Sequence, residues 1–136
     1  MLYAILCYDR EDEVYAWSKE EDAACMARLG EVQDRLAAKG RLGPSARLVP
    51  TTAAVTLRKS REEVVLDGPF AETKEQLLGF YVMEADDLDG AIAFARDLAR
   101  ANPGAGAYEI RPVGLYLDRP APGSERAAEA ALSAAS

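Results

Sequence analysis

The chain contains no histidine, and this absence excludes several common catalytic and metal-binding centres. Ser–His–Asp triads, histidine-ligated zinc and histidine-held haem all need an imidazole ring. Two cysteines, Cys7 and Cys25, are too few for a four-ligand zinc site without histidine, and their apolar surroundings favour small buried thiols. Because no glycine-rich phosphate loop opens a helix either, we expect no metal and no cofactor.

Long apolar runs and an excess of positive charge are also missing. No stretch approaches the roughly 20 apolar residues that span a bilayer, and the N-terminus lacks the ordered regions of a signal peptide. We therefore expect a cytoplasmic protein with reduced thiols and no membrane partner. With 16 basic and 23 acidic residues, the formal net charge is −7, which argues against direct binding to nucleic acid.

The composition that is present is typical of one folded globular domain. The chain has 136 residues, of which 49% are hydrophobic and 29% are charged. After Asp118 the sequence becomes rich in proline and then in alanine. We therefore expect a domain over residues 1–118, followed over 119–136 by a linker and a short, weakly helical tail.

Apolar periodicity predicts a mixed order of strands and helices. The strands are expected at 2–8, 41–49, 53–58, 62–66, 77–85 and 108–116, and the helices between Ser18 and Gly40 and between Asp86 and Asn102. Ser18 and Glu21 have the spacing of a capping box, which begins the first helix. The charged segment 9–17 is expected to be a loop.

Both helices are expected to be amphipathic, with one apolar stripe each. The stripes are Cys25, Leu29, Val32 and Leu36 in the first helix and Leu88, Ala91, Ala95 and Leu98 in the second. In the strand at 77–85, Gly79 indicates a close approach of another backbone or a bend.

Two strand–helix–strand units in tandem predict an α+β fold, a ferredoxin-like split βαβ sheet with a hairpin insertion. The strands at 2–8 and 77–85 carry apolar residues on both faces, yet two helices can cover only one face of the sheet. The other face would leave a larger apolar patch than monomers usually expose. We therefore expect a homodimer in which two sheets pack face to face as a dimeric α+β barrel.

One segment carries a specific family resemblance. Residues 67–81, with the sequence DGPFAETKEQLLGFY, resemble the DGPF branch of the YCII-related proteins. The similarity extends to the strand at 1–8, to the helix start at 87–89 and to residues 109–113. It covers about residues 1–116 and leaves the tail outside.

The resemblance implies a dimeric α+β barrel of undetermined biochemical activity. It also implies a regulatory or ligand-binding partner in a bacterial extracytoplasmic-function sigma-factor system, because proteins of this branch are encoded beside such sigma factors or fused to them. Relatives in the wider family carry a His–Asp pair proposed as catalytic, which a chain without histidine cannot supply. The alternative is a small cofactor-independent enzyme that acts on an organic acid or a phenolic compound in a dimer cavity.

Three charged residues of the motif are candidates for a site. Asp67 follows an apolar run and precedes Gly-Pro, so it either caps the following turn or acts as a general base at a cavity mouth. Lys74 and Glu75 belong to a compact charged turn that is either solvated or directed towards a ligand.

Three further candidates lie on the apolar strands. Arg111 either forms an ion pair near Glu109 or binds a small anionic ligand. Tyr3 and Tyr81 each carry a hydroxyl that needs a partner when buried, so they either pack in the core or dimer interface or line a ligand pocket.

Overall fold

The computed structural model describes residues 1–135, and Ser136, the last residue of the expected tail, lies outside them. The strands are β1 (Leu2–Asp9), β2 (Leu42–Arg47), β3 (Val55–Arg58), β4 (Val64–Asp67), β5 (Gln76–Glu84) and β6 (Ala107–Pro112). The helices are α1 (Glu11–Val14), α2 (Lys19–Ala38), α3 (Leu88–Ala101) and α4 (Glu125–Ala135), with a 3₁₀ turn at Thr51–Ala53. The architecture is α+β with antiparallel sheets.

The main sheet has four strands in the order β2-β5-β1-β6, and all neighbours are antiparallel. Helix α2 connects β1 to β2, and α3 connects β5 to β6. Strands β2 and β6 are the two edges, and they contain Pro44 and Pro112 respectively. The sheet is open, so residues 1–135 of one chain form no closed barrel. Strands β3 and β4 pair with each other as a separate hairpin.

The core lies between one face of the main sheet and helices α2 and α3. The largest fully buried side chains are Ile5, Met83 and Leu98, which come from β1, β5 and α3. The same cluster contains Tyr3, Val32, Ala85, Ala91, Phe94 and Ala101. The opposite face of the sheet is covered by neither helix.

The apolar stripe of α2 is confirmed, and that of α3 is confirmed except at its first residue. Ala91, Ala95 and Leu98 are buried, but Leu88 remains 48% exposed. Leu88 is the first helical residue, beside the capping Asp87, whereas Phe94 lies at the correct spacing between Ala91 and Leu98 and is buried instead.

Local hydrogen bonds explain where the elements begin. The capping box at the start of α2 is confirmed: the Glu21 amide donates to the Ser18 hydroxyl at 3.1 Å, and the Ser18 amide donates to the Glu21 carboxylate. The expected loop at 9–17 contains the short helix α1, since the Glu11 amide donates to the Gln76 side chain at 3.0 Å and the Glu11 carboxylate accepts from the Thr51 amide at 2.9 Å. The expectation of a loop was therefore wrong for this turn.

The last strand is shorter than periodicity predicts. It ends at Pro112 rather than at residue 116, because its partner strand β1 begins at Leu2, and the Val113 amide donates the last backbone hydrogen bond to the Leu2 carbonyl at 2.9 Å. Helix α4 follows at Glu125 and buries no residue within the described chain. None of the helices in residues 1–135 combines the length and the apolar character that crossing a membrane requires.

Candidate functional site

A pocket of about 360 Å³ lies at one end of the main sheet. Strands β1 and β2 end there and β5 and β6 begin there, because neighbouring strands run antiparallel. The remaining walls are formed by α2 between Asp22 and Gln33, by the last turn of α3, by Val14 and Trp17, and by the loop at 102–106. Four strands, three helices and the loops beside them therefore surround this space, and its size is typical of sites for small molecules.

The pocket contains a positioned hydroxyl group. Gln33 of α2 donates from Nε2 to the hydroxyl of Tyr81 at 2.9 Å. The Tyr81 ring packs edge-to-face against Phe94, with ring centroids 5.7 Å apart. Because the hydroxyl accepts from Gln33, its own proton can be donated to an acceptor on a bound molecule.

The buried thiol and phenol groups of the pocket are protonated at neutral pH. Burial raises the pKa of the Cys7 thiol to about 12 and that of the Tyr108 hydroxyl to about 12. Burial also raises the pKa of Tyr81, although the hydrogen bond from Gln33 acts in the opposite direction. The interior therefore offers protonated hydroxyls and an unreactive thiol, since cysteine reacts as the thiolate.

The mouth of the pocket carries a charged pair. Both terminal nitrogens of Arg47 lie 3.2 Å from one carboxylate oxygen of Asp22. The guanidinium also lies over the ring of Tyr15, 5.5 Å from its centroid. Among the described residues that line the pocket, Arg47 is the one with a positively charged side chain. Because the pair is partly exposed, it contributes little stability and can open to accept another anion.

The structure places one of the sequence-predicted site residues in this pocket. Tyr81 lines it, but Tyr3 does not, since Tyr3 is buried in the core and its hydroxyl donates to the Met1 sulfur at 3.6 Å. Arg111 is 70% exposed on the edge strand, with its Nε 3.6 Å from a Glu109 carboxylate oxygen.

The three charged motif residues also lie away from the pocket. Asp67 is exposed at the end of β4. Lys74 lines a surface groove near α1, and the neighbouring Glu75 accepts a hydrogen bond through its carbonyl from the Thr73 hydroxyl. Within one chain, the structure thus brings neither Asp67 nor Arg111 to the space around Tyr81.

Several residues around the pocket were not predicted as site residues. They include Cys7, Gln33, Arg47 and Tyr108, and the carboxylates Asp9 and Asp22. Cys7 lies on the same side of β1 as Tyr3 and Ile5, and Gln33 follows the buried Val32, so strand and helix spacing could have indicated both.

Another motif residue, Gln76, has a structural role. Its side chain accepts from the Glu11 amide and donates to the Thr73 carbonyl at 2.6 Å, which fastens the motif segment to α1.

The family model of the YCII-related domain matches residues 1–115 of this chain. The chain belongs to the YCII-related family. An uncharacterised protein of Rhizobium meliloti (strain 1021) is 61% identical over 117 residues, which cover 85% of this chain and 94% of that relative. The YCII-related domain contains every residue that lines the pocket and leaves α4 outside.

Proposed function

We propose that this YCII-related protein binds a small organic acid in the pocket beside Tyr81. The observation that supports this proposal is a pocket lined by protonated tyrosine hydroxyls and by one cation, Arg47, which is paired with Asp22. A molecule with an apolar body and one carboxylate fits this distribution of groups. The buried thiol and phenols are protonated at neutral pH, which suits hydrogen-bond donation to a ligand better than nucleophilic attack on one.

The proposed ligand makes two polar contacts. Its carboxylate takes the place of Asp22 on Arg47, because a guanidinium binds a carboxylate through two parallel hydrogen bonds. An oxygen further along the ligand accepts from the Tyr81 hydroxyl, which Gln33 holds in place. The apolar body contacts Leu29 and the tyrosine rings that line the pocket.

Thermal shift and calorimetry test the proposal with three ligands, benzoate, phenylacetate and 4-hydroxybenzoate. The binding of each acid is compared with that of its amide. We expect at least one acid to bind more tightly than its amide. Tyr81→Phe is expected to weaken the binding of 4-hydroxybenzoate, which carries an oxygen beyond its carboxylate, by about three- to tenfold, because one hydrogen bond contributes about 0.5–1.5 kcal/mol. Tyr3→Phe is the matched control, since Tyr3 is a buried tyrosine outside the pocket. The absence of binding by all three acids at millimolar concentration would contradict the proposal.

We further infer that the functional unit is a homodimer of ferredoxin-like sheets packed into an α+β barrel. The uncovered face of the main sheet supports this inference, since Leu2, Leu6, Phe80 and Val82 share it and remain partly exposed there. A sheet face that stays in water is usually polar. A second copy with the same face is the simplest cover.

The resemblance to the DGPF branch supports a regulatory role for this dimer beside a sigma factor of the extracytoplasmic-function type. In this proposal, the bound acid is the signal and the sigma factor is the responding partner. Copurification of the tagged protein with an extracytoplasmic-function sigma factor of the same cell is the test. Complex formation that changes on addition of the acid is expected, and repeated recovery of the protein without that sigma factor would contradict the role.

A further inference from the structure

The β3–β4 hairpin has one apolar face that nothing in the described chain covers. We call this hairpin the arm. Paired residues of a hairpin point to the same side, so the register places Val55, Leu57, Val65 and Asp67 on one face. The three aliphatic side chains are 61%, 53% and 64% exposed.

The opposite face of the arm is covered in part by the chain itself. Arg58 lies over the Phe70 ring, 4.9 Å from its centroid. The Thr56 hydroxyl donates to the Gly68 carbonyl at 2.8 Å. The two faces therefore differ in part: the opposite face carries these local contacts beside Val64 and Leu66, 44% and 51% exposed, and the first face presents three aliphatic side chains around a single carboxylate.

An arm of two four-residue strands needs a covering surface. Two-stranded hairpins are marginally stable in water unless they pack against another element. The apolar face thus indicates an interaction surface, and its occupant must accept both aliphatic side chains and the Asp67 carboxylate. A buried carboxylate without a cation would be costly, so the occupant must also supply positive charge.

The uncovered face of the main sheet has these properties. In the β1–β6 register, Arg111 pairs with Ala4 and Glu109 pairs with Leu6, so both charged side chains lie on the face away from the helices. Arg111 is mostly exposed, and its contact with Glu109 is long at 3.6 Å, which leaves the guanidinium available to another carboxylate. The apolar residues of the same face lie directly beside it.

We propose that each arm packs at the β6 margin of a second copy's uncovered sheet face, beside the sheet-to-sheet contact, with Asp67 against the partner subunit's Arg111. The proposal rests on the homodimer inferred above and adds the contact that sets its geometry. A two-fold axis makes the contact twice, because each chain carries both the arm and the sheet face. Asp67, at the end of β4, and Arg111, in β6, thus both act in dimer assembly.

Charge reversal tests this contact, with sedimentation equilibrium as the measurement. We expect the wild-type protein to sediment with twice the 14.7 kDa chain mass at micromolar concentration. Asp67→Arg and Arg111→Asp should each raise the dimer dissociation constant at least about tenfold, as close interfacial charge pairs do. The double variant should return it to within about threefold of wild type.

A control variant and the possible results distinguish the Asp67–Arg111 contact from the dimer itself. Glu62→Arg reverses an exposed charge at the turn of the arm, outside its apolar face, and should leave the dimer unchanged. All substituted side chains are exposed, so circular dichroism should show unchanged folding. A dimer that tolerates both single reversals would overturn the Asp67–Arg111 contact and leave the dimer standing. A monomeric wild-type protein would overturn both.

Discussion

Leu98→Ala is expected to lower the free energy of unfolding by about 2–5 kcal/mol, the range for truncating a fully buried leucine. Leu98 is completely buried and lies in the cluster that joins α3 to the sheet, beside Ile5 and Met83. Truncation leaves a cavity that the two rigid layers close only in part. Urea denaturation followed by circular dichroism measures the change.

The matched control for this substitution is Leu88→Ala in the same helix. Leu88 is the first residue of α3 and remains largely exposed, so its truncation should change stability by less than about 0.5 kcal/mol. Equal losses of unfolding free energy for Leu98→Ala and Leu88→Ala would show that α3 does not pack on the sheet through the face that carries Leu98.

Gly79→Ala is expected to destabilise the protein by about 1–3 kcal/mol, the typical cost of adding volume to a packed site. A Cβ atom at Gly79 would lie 2.4 Å from the carbonyl oxygen of Ala46, which belongs to the backbone of β2 and cannot turn aside. The β1–β5 register also shifts beside this residue, between Cys7 and Tyr8. Thermal unfolding and urea denaturation measure the loss.

Gly30→Ala provides the contrast to Gly79→Ala. Gly30 lies inside α2, and a Cβ atom there would meet no atom within 4 Å. The alanine should therefore stabilise the protein by up to about 1 kcal/mol, because it favours helix over the unfolded chain. A stabilising Gly79→Ala would contradict the close approach of β2 to β5.

Short-range patterns predicted most of the main elements because those elements satisfy local rules. The capping box at Ser18, the stripe around Val32 and the close approach at Gly79 all follow from spacing or from a missing side chain. The helix α1 was missed because its stability comes from distant partners: the side chain of Gln76 holds the Glu11 amide across 65 positions of sequence.

The candidate site was predictable only in part, for a similar reason. Tyr81 stood out as a hydroxyl on an apolar strand, and it lies in the pocket. Its partner Gln33 is 48 positions away, and Arg47 reaches the mouth from a different edge of the structure. No periodic pattern links such residues, because the meeting of four strand ends and three helices is a property of the whole fold.

The two edge strands limit how this protein can aggregate. Pro44 in β2 and Pro112 in β6 lack the amide hydrogen that an added strand from another molecule would need. The sheet therefore resists extension into fibres at both margins, even though its uncovered face is apolar. At high protein concentration, we therefore expect contacts between sheet faces, which form closed dimers, rather than edge-to-edge pairing of strands into fibres.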